Sequence, residues 1–363
     1  MAFSFLKKIN ANLIREFDSR GMSPEEFFNL PTKELVVRLG IRQEHEFDKI
    51  AREEALSLAE KEWRKIKDHN ILPLFLLDKE YPQKLAETDD PPIILYKLGD
   101  AELDNEHMIS IVGTRKPTPY GLDFCNRFVD ELAGYFPDAT VVSGLAYGID
   151  AAAHIKALEK DIPTVAVVAH GLNMIYPAAH RNLAKEIIRK GGAIVSEYPF
   201  GTKPFRPYFL ARNRIVAGLS DVTIVIESNI KGGAMSTANF AFLYNRDVMA
   251  LPGRSNDELS SGCNLLIRKN KAHLIECAAD MIEVTGWEPL GVKIDASQRN
   301  LFPELSGDLK LIYECLKVNR EPLQMDELIR LTGFPASKLL GILGELEFDG
   351  IIIRHAGNRF SIS

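Results

Sequence analysis

Between residues 107 and 289, short apolar runs alternate with longer stretches of helical periodicity. ISIV (109–112), TVVS (140–143), TVAVV (164–168), AIVS (193–196), TIVIE (223–227) and VMAL (248–251) are near-continuous in apolar or β-branched residues. Such runs mark strands buried on both faces. Amphipathic stretches near 121–135, 149–160, 178–190, 208–219 and 234–245 fill the intervals. One strand, then one helix, repeated, predicts a doubly wound, mostly parallel α/β sheet with right-handed crossovers. In such a sheet a ligand lies beyond the carboxyl ends of the strands, so the loops after the strands are where chemistry is expected.

The flanks follow other patterns. Residues 1–69 read as a small helical bundle of the SAM-like or helix-hairpin-helix kind. SPEEFFNL opens with Ser23, Pro24 and Glu26, a capping box, LPTKELVVRLGI repeats the pattern, and a charged helix is expected from Gln43 to His69. The bundle reads as a packing or interaction module. Residues 70–106, a lead-in segment to the 70–289 domain, hold Pro73, Pro82, Pro91 and Pro92 beside ILPLFLL and IILYKL, and are expected to lend edge strands to the sheet. A polar linker over 290–305 leads to a domain at 306–363. There three helical patterns, Asp308–Val318, Gln324–Leu331 and Pro335–Asp349, precede IIIRHAGNRFSIS, two short strands around an Ala-Gly-Asn turn. Three helices and a hairpin predict a winged helix-turn-helix. Its last helix sets Lys338 against Glu345, Glu347 and Asp349. Phosphates would repel that face, so protein contact or packing is favoured over duplex reading.

Composition narrows the setting. The four cysteines, Cys125, Cys263, Cys277 and Cys315, form no CxxC, so neither a metal site nor a disulfide framework is expected. No apolar run approaches the roughly 20 residues of a membrane helix, and MAFSFLKKINANLIREF has no cleavage signature. A cytoplasmic protein without membrane contact is the expectation. The net charge of −6 argues against nucleic acid until it is divided. Residues 1–106 carry −6, residues 107–289 carry +1 and residues 290–363 carry −1. From Pro199 to Ser220 stand four bases and no acid, and from His170 to Gly192 stand Arg181, Lys185, Arg189 and Lys190 against Glu186. A local patch is what an anion feels within a Debye length of about 10 Å.

Five loops at the predicted carboxyl edge carry anion-binding chemistry. The first is Gly113-Thr114-Arg115-Lys116, a sharp turn followed by a guanidinium that can fork onto phosphate. The second, Ser143-Gly144-Leu145-Ala146-Tyr147-Gly148, runs into a helix whose free N–H groups suit an anion. The third ends in His180 and Arg181. The fourth interleaves Lys203, Arg206, Arg212 and Arg214 with Phe200, Phe205, Tyr208 and Phe209. Bases for phosphates and aromatics for nucleobases are the single-strand pattern. The fifth places Lys231, Gly232, Gly233, Ser236 and Thr237 at a helix start, again suited to phosphate. Asp150 is expected to act as a cap or to hydrogen-bond a neighbouring loop, and His154 to be a packing residue. No GxGxxG, Gly-Lys, HExxH or GxSxG occurs. Dinucleotide cofactors, P-loop chemistry and the corresponding hydrolases therefore have no fingerprint, and no cofactor is expected.

VGTR, SGLAYGIDAAAH, YPAAHRNL, SEYPFGTKP, ARNRIVAGLS, KGGAMSTA, LPG and SGCNLLI, in this order, resemble the DprA (Smf) family of bacterial DNA-processing proteins over about residues 70–285. The resemblance implies an extended Rossmann-like fold that binds single-stranded DNA without sequence preference. It also implies homodimers without catalysis that load the recombinase RecA onto incoming strands in natural transformation. The family's DNA pocket carries over to Arg115, to His180 or Arg181, to Lys203, and to Arg212 and Arg214. Ala178 or Ala179 stands where relatives carry a lysine. Two rival readings remain. One is a nucleotide-cleaving enzyme of the phosphoribohydrolase type, disfavoured because Ala238-Asn239-Phe240-Ala241 offers no acid. The other is an adaptor acting through its terminal domains.

Overall fold

The computed structural model describes residues 1–6, 9–39, 48–290, 307–318, 322–348, 351–355 and 358–362. The first residues of the helix expected from Gln43, the linker beyond Leu290, Asp349, and Ala356 and Gly357 of the expected turn lie outside the described residues. Two compact units result, Met1–Leu290 and Gly291–Ser363.

A nine-stranded sheet organises the first unit. Its strands are β1 (Leu72–Phe75), β2 (Ile94–Gly99), β3 (Met108–Gly113), β4 (Thr140–Ser143), β5 (Thr164–Val167), β6 (Ala193–Ser196), β7 (Val222–Ile226), β8 (Asp247–Ala250) and β9 (His273–Leu274). Their order is β1-β2-β6-β5-β4-β3-β7-β8-β9. All neighbours from β6 to β9 are parallel, whereas β1 and β2 pair antiparallel. The sheet is thus mostly parallel and doubly wound, as its alternating pattern predicts. The lead-in segment supplies β1 and β2, with β2 joined to β6 through Tyr96 opposite Ser196. β9 is a short edge strand in the apolar stretch after Ala272.

Burial on both faces follows from the period of two. Val165 and Val167 enter one apolar cluster with Ile215, Val216, Ala238 and Leu266, while Ala166 and Val168 enter another with Leu158, Ala184 and Ile187. The helices Arg206–Gly218, Gly233–Leu243 and Ser261–Arg268 contribute to the first cluster, and Ile149–Glu159 and Arg181–Arg189 to the second. The winding reverses between β3 and its neighbours β4 and β7, and such a switch point opens a crevice at the carboxyl edge.

The N-terminal helices belong to this unit, with an apolar cluster of their own around Phe17, Phe27 and Leu35. The capping box forms as the sequence predicts: Glu26 N donates to Ser23 Oγ at 3.1 Å and Ser23 N to Glu26 Oε2 at 3.0 Å. The long charged helix runs Lys49–Asp68, capped by Asp48. Among the described residues no helix is long and apolar enough to cross a membrane.

The second unit has helices Asp308–Val318, Met325–Thr332 and Ala336–Phe348. A hairpin of β11 (Ile352–His355) and β12 (Arg359–Ile362) follows, and β10 (Leu323–Gln324) adds a third antiparallel strand. This is a winged helix with one strand more than the pattern foretells. Two residues are too few to show a period.

Candidate nucleic-acid interface

At the switch point a cleft of about 420 Å³ is lined by the loops after β3, β4 and β7 and by the helix Arg206–Gly218. Three glycines let these loops approach one another. A Cβ on Gly113 would collide with the Ile226 carbonyl, and one on Gly144 would lie 2.7 Å from the Arg212 guanidinium. Gly148 adopts φ +80°, and a side chain there would strike the Thr114 carbonyl. Glycine is required where backbones come this close.

The β3 loop is tied to β7. Thr114 N donates to Glu227 O at 2.7 Å, and the Glu227 carboxylate accepts from Thr118 N at 2.8 Å and from the Thr118 hydroxyl. Thr114 Oγ1 accepts from Lys116 N at 3.2 Å. With the backbone fixed, the Arg115 and Lys116 side chains stand exposed at the cleft. The Arg115 guanidinium lies 5.9 Å from the Phe209 ring centre, and Phe209 in turn is 5.7 Å from Tyr176.

The β4 loop folds around buried charge. Asp150 Oδ2 accepts from Gly144 N at 3.2 Å and from Ala146 N at 3.4 Å, which is the loop bond the sequence suggests. At the same residue, Arg212 Nη1 donates to Gly144 O at 2.7 Å, and it also donates to the Val167 carbonyl. Burial pushes the Asp150 carboxyl above the ordinary aspartate range, against the pull of Arg212 and the two amides. Burial likewise works against the charge on Arg212. His154, on the helix after Asp150, is fully buried, bonds Thr164 Oγ1 through Nδ1 at 2.7 Å, and has its pKa pushed down to about 3 by desolvation.

The structure thus brings together Gly113, Thr114, Arg115, Lys116, Gly144, Arg212, Gly232, Gly233 and Thr237 around one cleft. Ser143 is buried beneath it, its hydroxyl donating to Ile111 O at 2.6 Å. Gly232 and Gly233 open the helix Gly233–Leu243 without a side-chain cap; Met235 N donates to Gly232 O at 3.2 Å, and the Gly233 and Ala234 N–H groups ahead of it have no intrahelical acceptor. Ser236 is half-buried on that helix. Lys203 and Lys231 are exposed on the surrounding loops, and Arg181 and Arg206 are exposed at the first positions of the helices Arg181–Arg189 and Arg206–Gly218. His180 is held by a 2.9 Å bond from Nδ1 to Leu145 O, its ring 4.9 Å from Tyr147. Arg214 lies in another crevice, where it pairs with Glu197 and, at 3.4 Å, with Asp90.

Asn213, Ser228 and Asn229 also line the cleft; the sequence sets Ser228 and Asn229 at the head of the fifth loop and Asn213 among the bases of the fourth, but assigns none of the three a contact. Their signal was faint: Asn213 lies between the two arginines of the RNR motif, and Ser228-Asn229 directly precedes the double glycine. Tyr147 and Tyr176 are about half exposed beside it, where sequence weighed only the aromatics of the fourth loop.

Residues 73–286 match the family described as DNA recombination-mediator protein A, and residues 298–358 match the DprA winged helix domain. The chain is 34% identical over 330 residues to Protein Smf of a Synechocystis strain, covering 79% of this chain and 80% of that protein. The X-ray structure of DNA processing protein A (DprA) from Streptococcus pneumoniae superposes with a TM-score of 0.62 at 29% identity, over 76% of this chain and 98% of that one. DNA processing protein A from Helicobacter pylori, solved to explain its single-stranded DNA binding mode, superposes with a TM-score of 0.53 at 36% identity, over 59% and 95% of the two chains.

Proposed function

The chain belongs to the DprA (Smf) family of DNA-processing proteins, and from that premise we propose that it binds single-stranded DNA without sequence preference along the carboxyl edge of its sheet. The observation that carries the reading is the cleft at the switch point. There the exposed Arg115 and Lys116 face the uncapped start of the helix Gly233–Leu243. Guanidinium, ammonium and free N–H groups suit a phosphate backbone and carry no base information. In this reading His180, Arg181, Lys203, Arg206 and Lys231 extend the phosphate track, and Arg212 shapes it from beneath. Tyr147, Tyr176 and Phe205, each about half exposed, offer stacking faces. The single-strand binding mode of the Helicobacter pylori protein supports the same choice of ligand.

The proposal extends to the role implied by the family resemblance. The protein acts as a homodimer that loads RecA onto incoming single strands in transformation, by binding rather than catalysis. The helix Gly233–Leu243 carries no acidic residue, which disfavours the nucleotide-cleaving alternative. At the sheet edge, β9 pairs with β8 on one side, and its Leu274 is 45% exposed, leaving an edge for a second copy.

The test is binding of fluorescent oligo-dT and of a matching duplex across a salt series, for wild type and Arg115→Ala. Preference for the single strand, with a steep salt slope that Arg115→Ala flattens by about one contact, is expected. Equal binding to duplex that ignores Arg115 would overturn the reading. RecA filament assembly on the same oligonucleotide, with and without the protein, tests the loading step.

A further inference from the structure

The helix Lys49–Asp68 lies outside the cleft, yet it grips the most basic loop at the sheet edge. Glu62 is 3% exposed, and its Oε1 accepts a 2.6 Å hydrogen bond from Phe200 N. On the same helical face, Lys65 Nζ lies 6.0 Å from the Phe200 ring centre, and the His69 ring, just past the helix, lies 4.6 Å from it. Positions 62, 65 and 69 follow the i, i+3, i+7 spacing of one helix face. An apolar side chain would fill this interior more cheaply than a carboxylate, whose desolvation raises its pKa against the pull of the Phe200 amide and Lys65. What a carboxylate adds is a short, charge-assisted bond that fixes a backbone position.

The turn beyond Phe200 is held at each successive amide. Gly201, at φ +91°, donates its N–H to Asn173 Oδ1 at 2.7 Å. Thr202 N donates to Pro199 O at 3.1 Å, and Thr202 O accepts from Gly171 N at 2.9 Å. The loop therefore hangs between the β5 loop and the N-terminal helix. The exposed Lys203 and Arg206 follow at once.

We propose that Glu62 is a positioning residue for nucleic-acid binding: through the Phe200 amide it sets the turn that presents Lys203 and Arg206 to a single strand. The inference rests on the proposed function. It makes the N-terminal helices part of the interface scaffold, although Glu62 touches no ligand.

Four full-length variants test it: Glu62→Met, Glu62→Gln, Lys203→Ala/Arg206→Ala, and Glu62→Met added to the last. Methionine fills the space without an acceptor, and glutamine keeps an acceptor oxygen. Glu62→Met is expected to weaken oligo-dT binding about five- to tenfold and to lower the salt slope. Glu62→Gln is expected to stay within about twofold of wild type. In the Lys203→Ala/Arg206→Ala background the Glu62→Met effect should vanish, because residues acting through one another are not additive. Equal weakening in both backgrounds, or none in either, overturns the inference. Hydrogen exchange at the Phe200 amide is a second measurement that does not depend on Glu62→Met folding. It should accelerate about tenfold in Glu62→Gln as a charged acceptor becomes neutral, and unchanged exchange there also overturns the inference. If Arg115→Ala loses binding while Lys203→Ala/Arg206→Ala does not, the positioning role falls and the cleft reading stands. If the wild type fails to bind single strands, the cleft reading falls as well.

Discussion

Arg115 and Arg212 line the same cleft, and in the sequence both are bases at the end of a glycine-containing or aromatic loop. In the fold they are opposites. Arg115 stands exposed on a loop braced by Glu227, while Arg212 is 5% exposed and hydrogen-bonds the Gly144 and Val167 carbonyls. The first presents charge to solvent. The second uses charge to join the carboxyl ends of β4 and β5 through the helix Arg206–Gly218. A base within a binding motif can therefore act on a ligand or on the loop that meets it, and burial decides which.

The largest effect that would break this comparison is on stability. Arg212→Met leaves the Gly144 and Val167 carbonyls without their donor and Asp150 without its nearby positive charge. Loss of one partner in a buried polar set costs roughly 3–5 kcal/mol, and urea denaturation should show it as a lower midpoint. Arg115→Met should change stability by no more than about 0.5 kcal/mol, as exposed substitutions do. If Arg212→Met unfolds at the wild-type midpoint and loses only DNA affinity, the two arginines are functionally alike and the contrast fails.

Acid separates the two regions next. The pKa of His154 is pushed down to about 3 by burial, so the folded protein keeps the ring neutral where the unfolded chain, near 6.5, takes up a proton. Between those values the unfolded state binds more protons, and stability falls as pH falls, by about 1.4 kcal/mol per unit. At pH 5 that amounts to about 2 kcal/mol. Asp150 works the other way, because its carboxyl is pushed up and folding favours its protonated form. His154→Asn should therefore flatten the acid limb of a stability-against-pH curve between about pH 6 and pH 4, whatever it costs at pH 7. An unchanged limb would mean that the ring titrates normally in the fold.

Substituting the exposed base is expected to act on binding alone. Arg115→Ala should weaken oligo-dT binding about tenfold at moderate salt and for every sequence alike, as loss of a phosphate contact does. Altered sequence preference with an unchanged salt slope would move Arg115 from the backbone to a base edge.

What the sequence discloses and withholds divides along the same line. Strands buried on both faces announce themselves by local composition, so the six core strands are legible to within one residue of their ends and the helices between them to within three. The capping box at Ser23 and the bond from Asp150 to its own loop are local as well. Exposure is not. Nothing near Arg212 distinguishes it from Arg206, because the carbonyls that bury it come from β4 and β5 strand ends remote in sequence. Arg214 looks like part of the same basic run, yet it faces Glu197 and Asp90. Glu62 reads as one more charge on a charged helix, since its partner amide is 138 residues away. The two-residue strand β10 escapes notice because register, not pattern, creates it, and at His273-Leu274-Ile275 the sequence leaves edge pairing, which β9 makes, and core burial equally open.

The smallest effect expected concerns the ring that shares the cleft's rim with Arg115. Tyr176 is 51% exposed and lies 5.7 Å from Phe209, which itself lies under the Arg115 guanidinium. A base stacked on Tyr176 would therefore follow a phosphate held by Arg115 along the same edge. Stacking on an aromatic is worth about 1–3 kcal/mol per base and needs no hydrogen-bond readout. Because the ring is half exposed, Tyr176→Ala should fall at the low end, near 1 kcal/mol, a weakening of about fivefold. The salt slope should stay unchanged, since no phosphate contact is lost. Tyr176→Phe should keep wild-type affinity, because stacking needs the ring and not the hydroxyl. If Tyr176→Ala instead flattens the salt slope as Arg115→Ala does, the ring acts only by holding Phe209 under Arg115, and the stacking face has to be sought at Tyr147 or Phe205.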